Sequence, residues 1–228
     1  MEKKITTVVF DMGQVLIHWT PMKIVEHMAL TERDKALLMT ELFQSVEWVQ
    51  TDHGTITLNQ VVEQVNARLP KHLHPAVEEI VMGWWHRPLV PMEGMGELVK
   101  ELKGLGYKIY LLSNASVDLR KYFGRIPGSE CFDGLMVSAE EKLIKPQHEI
   151  FKALYDRFRL DPEHCVFIDD SPANIEAAIC TGMDGIIFRG SAERLRRELR
   201  EKGINVKETI IGTKASPGGS CRGPLGRD

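Results

Sequence analysis

Two kinds of hydrophobic spacing divide the chain. Thr6-Thr7-Val8-Val9-Phe10 is an apolar, β-branched run that leads into Asp11-Met12-Gly13. A short run without charged interruption predicts a strand buried on both faces, with Asp11 at its end and Gly13 turning the backbone. From about residue 21 to 87 the spacing becomes helical, in 22–30, 31–43, 58–69 and 75–85. Ser, Thr or Asp stand ahead of several of these segments, as N-caps do. Pro88-Leu89-Val90-Pro91 reads as a hinge. Beyond it, strands at 108–112, 133–137, 165–168 and 185–188 alternate with helices at 94–105, 117–123, 147–158, 172–182 and 192–202. Such alternation predicts a parallel sheet with helices on both faces. The expected fold is α/β, a Rossmann-like doubly wound sheet with an inserted all-helical domain. The core would be 1–16 and 90–211 and the insert 17–89. The Gly/Ser/Pro/Arg-rich segment 212–228 would be a disordered tail.

Composition narrows the picture only by exclusion. The 228 residues are 43% hydrophobic and 27% charged, which fits an ordinary globule, and the net charge of −3 gives no reason to expect nucleic acid. No apolar run approaches the ~18 residues of a membrane span. The early first strand leaves no room for a signal peptide ahead of it, so none is expected. Cys131, Cys165, Cys180 and Cys221 are scattered without metal-type spacing. A reduced, cytoplasmic protein, monomer or dimer, is expected, with Cys165 and Cys180 in the core.

Three apolar runs end alike: Val8-Val9-Phe10 in Asp11, Tyr110-Leu111-Leu112 in Ser113-Asn114, and Val166-Phe167-Ile168 in Asp169-Asp170. In an open parallel sheet ligands bind at the carboxyl ends of the strands, so these groups should converge, with Lys145 aimed at the same rim. Three carboxylates against one ammonium leave a local excess of negative charge. A divalent cation removes it, and hard oxygen donors suit Mg²⁺, which also bridges to phosphate. On that chemistry Asp11 is the nucleophile toward phosphorus. Ser113 and the Asn114 amide hold phosphoryl oxygens, and Lys145 neutralises charge. Asp11, the Gly13 carbonyl, Asp169 and Asp170 surround the metal, and Asn174 orients from behind.

Together these motifs resemble the haloacid dehalogenase superfamily: Asp11-x-Gly13, Ser113-Asn114, Lys145-Pro146 and Asp169-Asp170-x-x-x-Asn174, in that order over roughly residues 5 to 190. The resemblance implies that the helical insert is a cap over the site. Within the superfamily the motifs are most similar to the bacterial sugar-phosphatase subgroup that includes α-D-glucose-1-phosphatase. It implies a Mg²⁺-dependent phosphatase acting on a small phosphorylated metabolite, a sugar phosphate, through an aspartyl-phosphate. One position departs from most phosphatases of the superfamily, which carry an acid two residues after the nucleophile where this chain has Gly13. The resembled subgroup also has glycine there, so the change does not by itself imply inactivity.

His18 is a candidate replacement by its near-neutral pKa, although a histidine that packs or faces water is the plainer reading. Trp85 and Arg87, in Trp84-Trp85-His86-Arg87, could stack on a sugar and steer its phosphate, against the plainer reading of packing and one hinge charge. His53-Gly54 reads as a turn. The helix at 192–202, basic with interleaved glutamates, reads as a solvated outer helix. Two other functions share these motifs: a hydrolytic 2-haloacid dehalogenase, in which Asp11 attacks carbon, and a protein that binds a phosphorylated ligand or a partner without turnover.

Overall fold

The computed structural model describes residues 4–208; the expected tail at 212–228, with Cys221, lies outside them. Strand β1 (Thr7–Phe10) is followed by five helices, α1 (Pro21–Glu26), α2 (Glu32–Leu38), α3 (Val46–His53), α4 (Leu58–Asn66) and α5 (His74–Gly83). Then come α6 (Met95–Gly104), β2 (Lys108–Ser113), α7 (Leu119–Tyr122), β3 (Gly134–Val137) and the single turn α8 (Ser138–Glu141). The chain ends with α9 (His148–Phe158), β4 (Cys165–Asp169), α10 (Pro172–Cys180), β5 (Asp184–Ile187) and α11 (Ala192–Glu201).

The five strands form one parallel sheet in the order β3-β2-β1-β4-β5. β1 is central, and all four of its residues are buried. Its alternate side chains feed two cores. Val8 and Phe10 join Ile109, Leu111, Val166 and Ile168 beneath α6 and α11, while Val9 joins Leu112 and Phe167 beneath α9 and α10. A strand covered on both faces can be apolar throughout, which is why β1 shows no polar alternation. Because β2 and β4 flank β1, the ends of all three strands open on the same edge of the sheet.

A third core, drawn from Ile24, Leu38, Val61, Leu73, Ile80 and neighbours, lies wholly within the insert. Thr57 caps α4 with a capping box closed by Gln60, and Thr31 and Ser45 cap α2 and α3. The two strands of chain that join insert to sheet run side by side, with Ile17 bridged to Pro91 and the His18 amide donating to Val90 O at 2.8 Å.

Several details differ from the sequence-based expectation, and the helix expected over 22–30 stops at Glu26. The helix expected over 31–43 is α-helical only to Leu38 and continues as a π-helical turn over Met39–Phe43. α3 was not expected, because its pattern is inverted. Val46 and Val49 are exposed, at 63% and 54%, while Glu47 is buried and held by the Arg68 guanidinium at 2.8 and 2.9 Å. Cys165 is in the core, but Cys180 is exposed, because α10 buries Ile175, Ala177 and Ala178 on its other side.

Candidate active site

At the carboxyl edge of the sheet one ammonium group answers two carboxylates. Lys145 Nζ lies 2.8 Å from Asp11 Oδ1 and 2.7 Å from Asp169 Oδ2, and all three side chains are buried or nearly so. Lys145 is aimed there by Asn114, whose side chain accepts from Lys145 N at 2.8 Å and donates to Lys145 O at 3.0 Å. The Asn114 side chain is thus a clamp on the lysine backbone. Burial works against the charge on Lys145, but Asp11 and Asp169 outweigh it and hold its pKa above the usual lysine value. For Asp11 burial is the larger influence and raises the carboxyl pKa; Lys145 opposes the rise and Asp169 adds to it.

Asp169 is fully engaged. Its Oδ1 accepts from Ser171 N at 2.8 Å and from Asn174 Nδ2 at 3.0 Å, and its Oδ2 accepts from Lys145 and again from Asn174 at 3.0 Å. Asp170 is exposed toward the opening, and burial followed by the neighbouring Asp169 raises its pKa. Carboxylate oxygens of Asp11, Asp169 and Asp170 all lie within 4.8 Å of one another. Three acids and one lysine leave two negative charges uncompensated, an all-oxygen donor set with the charge of one divalent cation, so these residues fit Mg²⁺. Asp11 and Asp170 have oxygens free for it, whereas Asp169 has spent its acceptors on orienting donors.

Asp11, Asp170 and Lys145 form the floor of a chamber of about 280 Å³, with Asp169 behind them. Gly13, Ser113 and Asn174 line it beside the acids. The helical insert supplies the roof, from Trp19, Trp48, Leu58, Val61 and Trp84. Trp19 is stacked on Trp48, with centroids 6.0 Å apart and planes at 22°, and meets Trp84 edge-on at 4.5 Å. Trp85 reaches the wall as well, although most of it is packed in the core. His18 and Arg87 are not brought here. Both line a separate cleft behind Trp19 and Trp84, where His18 is exposed, and Arg87 is ion-paired to Glu79 at 2.5 Å. Their positions on the joining strands turn them to the outer side of the hinge.

One residue that sequence reasoning missed also faces the chamber: Asp52, near the end of α3. Burial, then the charge of Asp11, pushes its carboxyl up to about 7. The available signal was a lone carboxylate two residues before Gly54, a helix stop, but without an expected helix it had no element to place it.

A parallel sheet with this strand order, three strand-end motifs, a buried lysine between α8 and α9 that meets them, and a helical roof define a haloacid dehalogenase-like hydrolase. The family model of that description matches residues 5–182, and the chain belongs to this family. Sesquiterpene phosphatase astK of Aspergillus oryzae is 27% identical over 181 residues, covering 78% of this chain and 87% of its own. Flavin mononucleotide hydrolase 1 of Arabidopsis thaliana is 29% identical over 115 residues, covering 50% and 46%. The fold is similar to that of HAD family enzyme bt-2542 from Bacteroides thetaiotaomicron, solved in complex with magnesium and inorganic phosphate. The TM-score is 0.59 at 23% identity, over 84% of this chain and 98% of that one. An L-2-haloacid dehalogenase from Xanthobacter autotrophicus superposes with TM-score 0.61 at 17% identity, over 89% and 85%.

Proposed function

We propose that this protein is a Mg²⁺-dependent phosphomonoesterase that works through an aspartyl-phosphate on Asp11. The observation that carries the reading is the grouping of Asp11, Asp169 and Asp170 within 4.8 Å, with Lys145 on two of them. Asp11, Asp170 and the Gly13 carbonyl would hold Mg²⁺, which when bound neutralises charge between the nucleophile and the phosphoryl group. Ser113, buried at the end of β2, donates to a phosphoryl oxygen. Lys145 keeps Asp11 oriented and partly neutralised. Asn114 fixes Lys145, and Asn174 with Ser171 fixes Asp169, so the floor is rigid before substrate arrives. The helical insert closes over the bound ester and keeps bulk water from the reacting phosphorus.

A 2-haloacid dehalogenase, although it shares the fold, needs no cation, and it leaves Asp170 and the excess negative charge without a purpose. For the alcohol half of the substrate, the motif resemblance suggests a sugar. The roof favours something less polar. Trp19, Trp48, Trp84, Leu58 and Val61 offer apolar and π surface, and a polyol held there would leave hydroxyls without partners. The names of the two relatives, a sesquiterpene phosphatase and a flavin mononucleotide hydrolase, also point to apolar or flat groups. We therefore rank a small ester of an apolar or planar alcohol first and a sugar phosphate second. Phosphate release is measured over terpenyl, aryl, flavin and sugar phosphates. Activity that depends on Mg²⁺, is lost with EDTA and is absent in Asp11→Asn supports the reading. Turnover that survives either treatment contradicts it.

A further inference from the structure

We infer that Asp52, delivered by the helical insert, is the general acid and base of the reaction and replaces the group that Gly13 lacks. This rests on the phosphomonoesterase reading above. Asp11, Asp52 and Asp170 are the carboxylates of the described residues that line the chamber. Asp11 and Asp170 belong to the cation cluster on the floor, whereas Asp52 enters from the α3 side. No hydrogen bond to its carboxyl oxygens is formed among the described residues. Its backbone is held firmly by the sheet domain. Ser138 Oγ, at the start of α8, donates to Asp52 O, and the His53 ring nitrogen Nε2 lies 3.0 Å from Lys142 O. Gly54, in a left-handed conformation with φ of +72°, lies flat on α8, where a Cβ would stand 2.1 Å from Ala139 O. Asp52 is therefore an insert residue anchored by core atoms, and it is in position only when the insert is docked.

Other groups in the chamber fit the task less well. Lys145 is committed to two carboxylates. Tyr122 on α7 has its phenol held above the ordinary range by burial and then by Asp52 and Asp118, which makes it a reluctant donor. No histidine is among the lining residues. The charged and titratable groups that share the chamber with Asp52 are Asp11 and Asp170 from the strand ends, Lys145 from the segment between α8 and α9, and Tyr122 from α7. Burial first, and Asp11 second, keep the Asp52 carboxyl largely protonated up to neutral pH.

The two steps balance. In the first, Asp11 Oδ bonds to phosphorus, the ester P–O bond breaks, and the Asp52 proton passes to the leaving oxygen, giving a neutral alcohol. In the second, the Asp52 carboxylate takes a proton from water as the water oxygen bonds to phosphorus. The Asp11–phosphorus bond breaks, and both carboxyls return to their starting states.

The test uses the full chain with Mg²⁺, an alkyl phosphate and a nitrophenyl phosphate, whose leaving group needs no proton. For Asp52→Asn, kcat/KM on the alkyl ester, which covers only the steps up to loss of the alcohol, should fall by about 10²–10⁴-fold, and on the nitrophenyl ester by far less, while kcat falls on both because both share the hydrolysis of the aspartyl-phosphate. The basic limb of kcat/KM on the alkyl ester should disappear. Adding Gly13→Asp to Asp52→Asn should restore part of the alkyl activity, since a Cβ at Gly13 meets only Trp19 Cβ, at 3.5 Å. Equal losses of kcat/KM on both esters, or no loss on either, would overturn the inference. Should the variant fold poorly, wild-type rates over a series of aryl phosphates decide. A shallow dependence on leaving-group basicity is expected, and a steep one contradicts an acid in the site. Wild-type inactivity on every ester would instead count against the phosphatase reading itself.

Discussion

Lys145 neutralises two carboxylates at once, and its removal strands both. Lys145→Ala should cost about 3–5 kcal/mol, the usual penalty for leaving a buried charge unpaired, measured by denaturant unfolding of the metal-free protein. Added Mg²⁺ should recover part of that loss. Asp52 makes a second prediction at the same scale. Its carboxyl, pushed up to about 7, binds its proton more tightly in the folded than in the unfolded chain, where carboxyls titrate near ~4. The folded state therefore holds more protons between those two values. The Asp52 contribution to the stability of the metal-free protein should be full below that window and be lost as pH rises through it. Asp52→Asn should narrow the gap in unfolding free energy between pH 5 and pH 8. Residues at strand ends were legible in the sequence because an apolar run that stops at a carboxylate announces its own position. Asp52 was not, since nothing in its neighbours' pattern said where it points.

α3 shows why whole elements can escape notice. Its outer face carries Val46 and Val49, and its inner face carries Glu47 in a fork with Arg68. Charge pairing, not apolar spacing, decides which side is buried. Arg68 lowers the pKa of Glu47 to about 2, so the pair survives to low pH. The joint between α3 and α8 depends on Gly54, and Gly54→Ala combines an unfavourable φ with a clash against backbone. It should loosen α3, raise protease sensitivity near residues 52–56 and lower turnover of alkyl esters. Trp48, also on α3, tests the substrate assignment. Trp48→Ala should raise KM for a terpenyl or aryl phosphate by several-fold more than for a sugar phosphate. The reverse order would restore the sugar phosphate to first rank. The other helices of the insert form where apolar spacing places them, although two end early, because their inner faces share a core of ordinary aliphatic residues.

For the whole molecule, strand order is what makes four short motifs into one site. β1 lies between β2 and β4, so residues 11, 113 and 169–170, far apart in sequence, share one sheet edge. That the strand ends should converge was readable from strand–helix alternation, but the strand order was not. The distribution of chamber walls between sheet and insert was not, since it depends on how two independently packed cores meet. A cation that binds only the assembled site must stabilise the fold. Mg²⁺ at a hundredfold above its Kd adds about 2.7 kcal/mol, and a chain of this size gains about 2–4 °C per kcal/mol. A Tm rise of about 5–10 °C is expected, reversed by EDTA and abolished in Asp170→Asn. No shift would leave the acidic cluster without its ion.

The central claim is that Asp11 attacks phosphorus. It is tested by mixing the protein with Mg²⁺ and a turned-over phosphate ester, quenching in acid within a turnover, and reading the mass of each peptide. A phosphoryl group on the peptide that contains Asp11, present only with Mg²⁺ and missing in Asp11→Asn, is the predicted result. Turnover with an unmodified Asp11 peptide at every quench time, or a phosphoryl group on another residue, would contradict it.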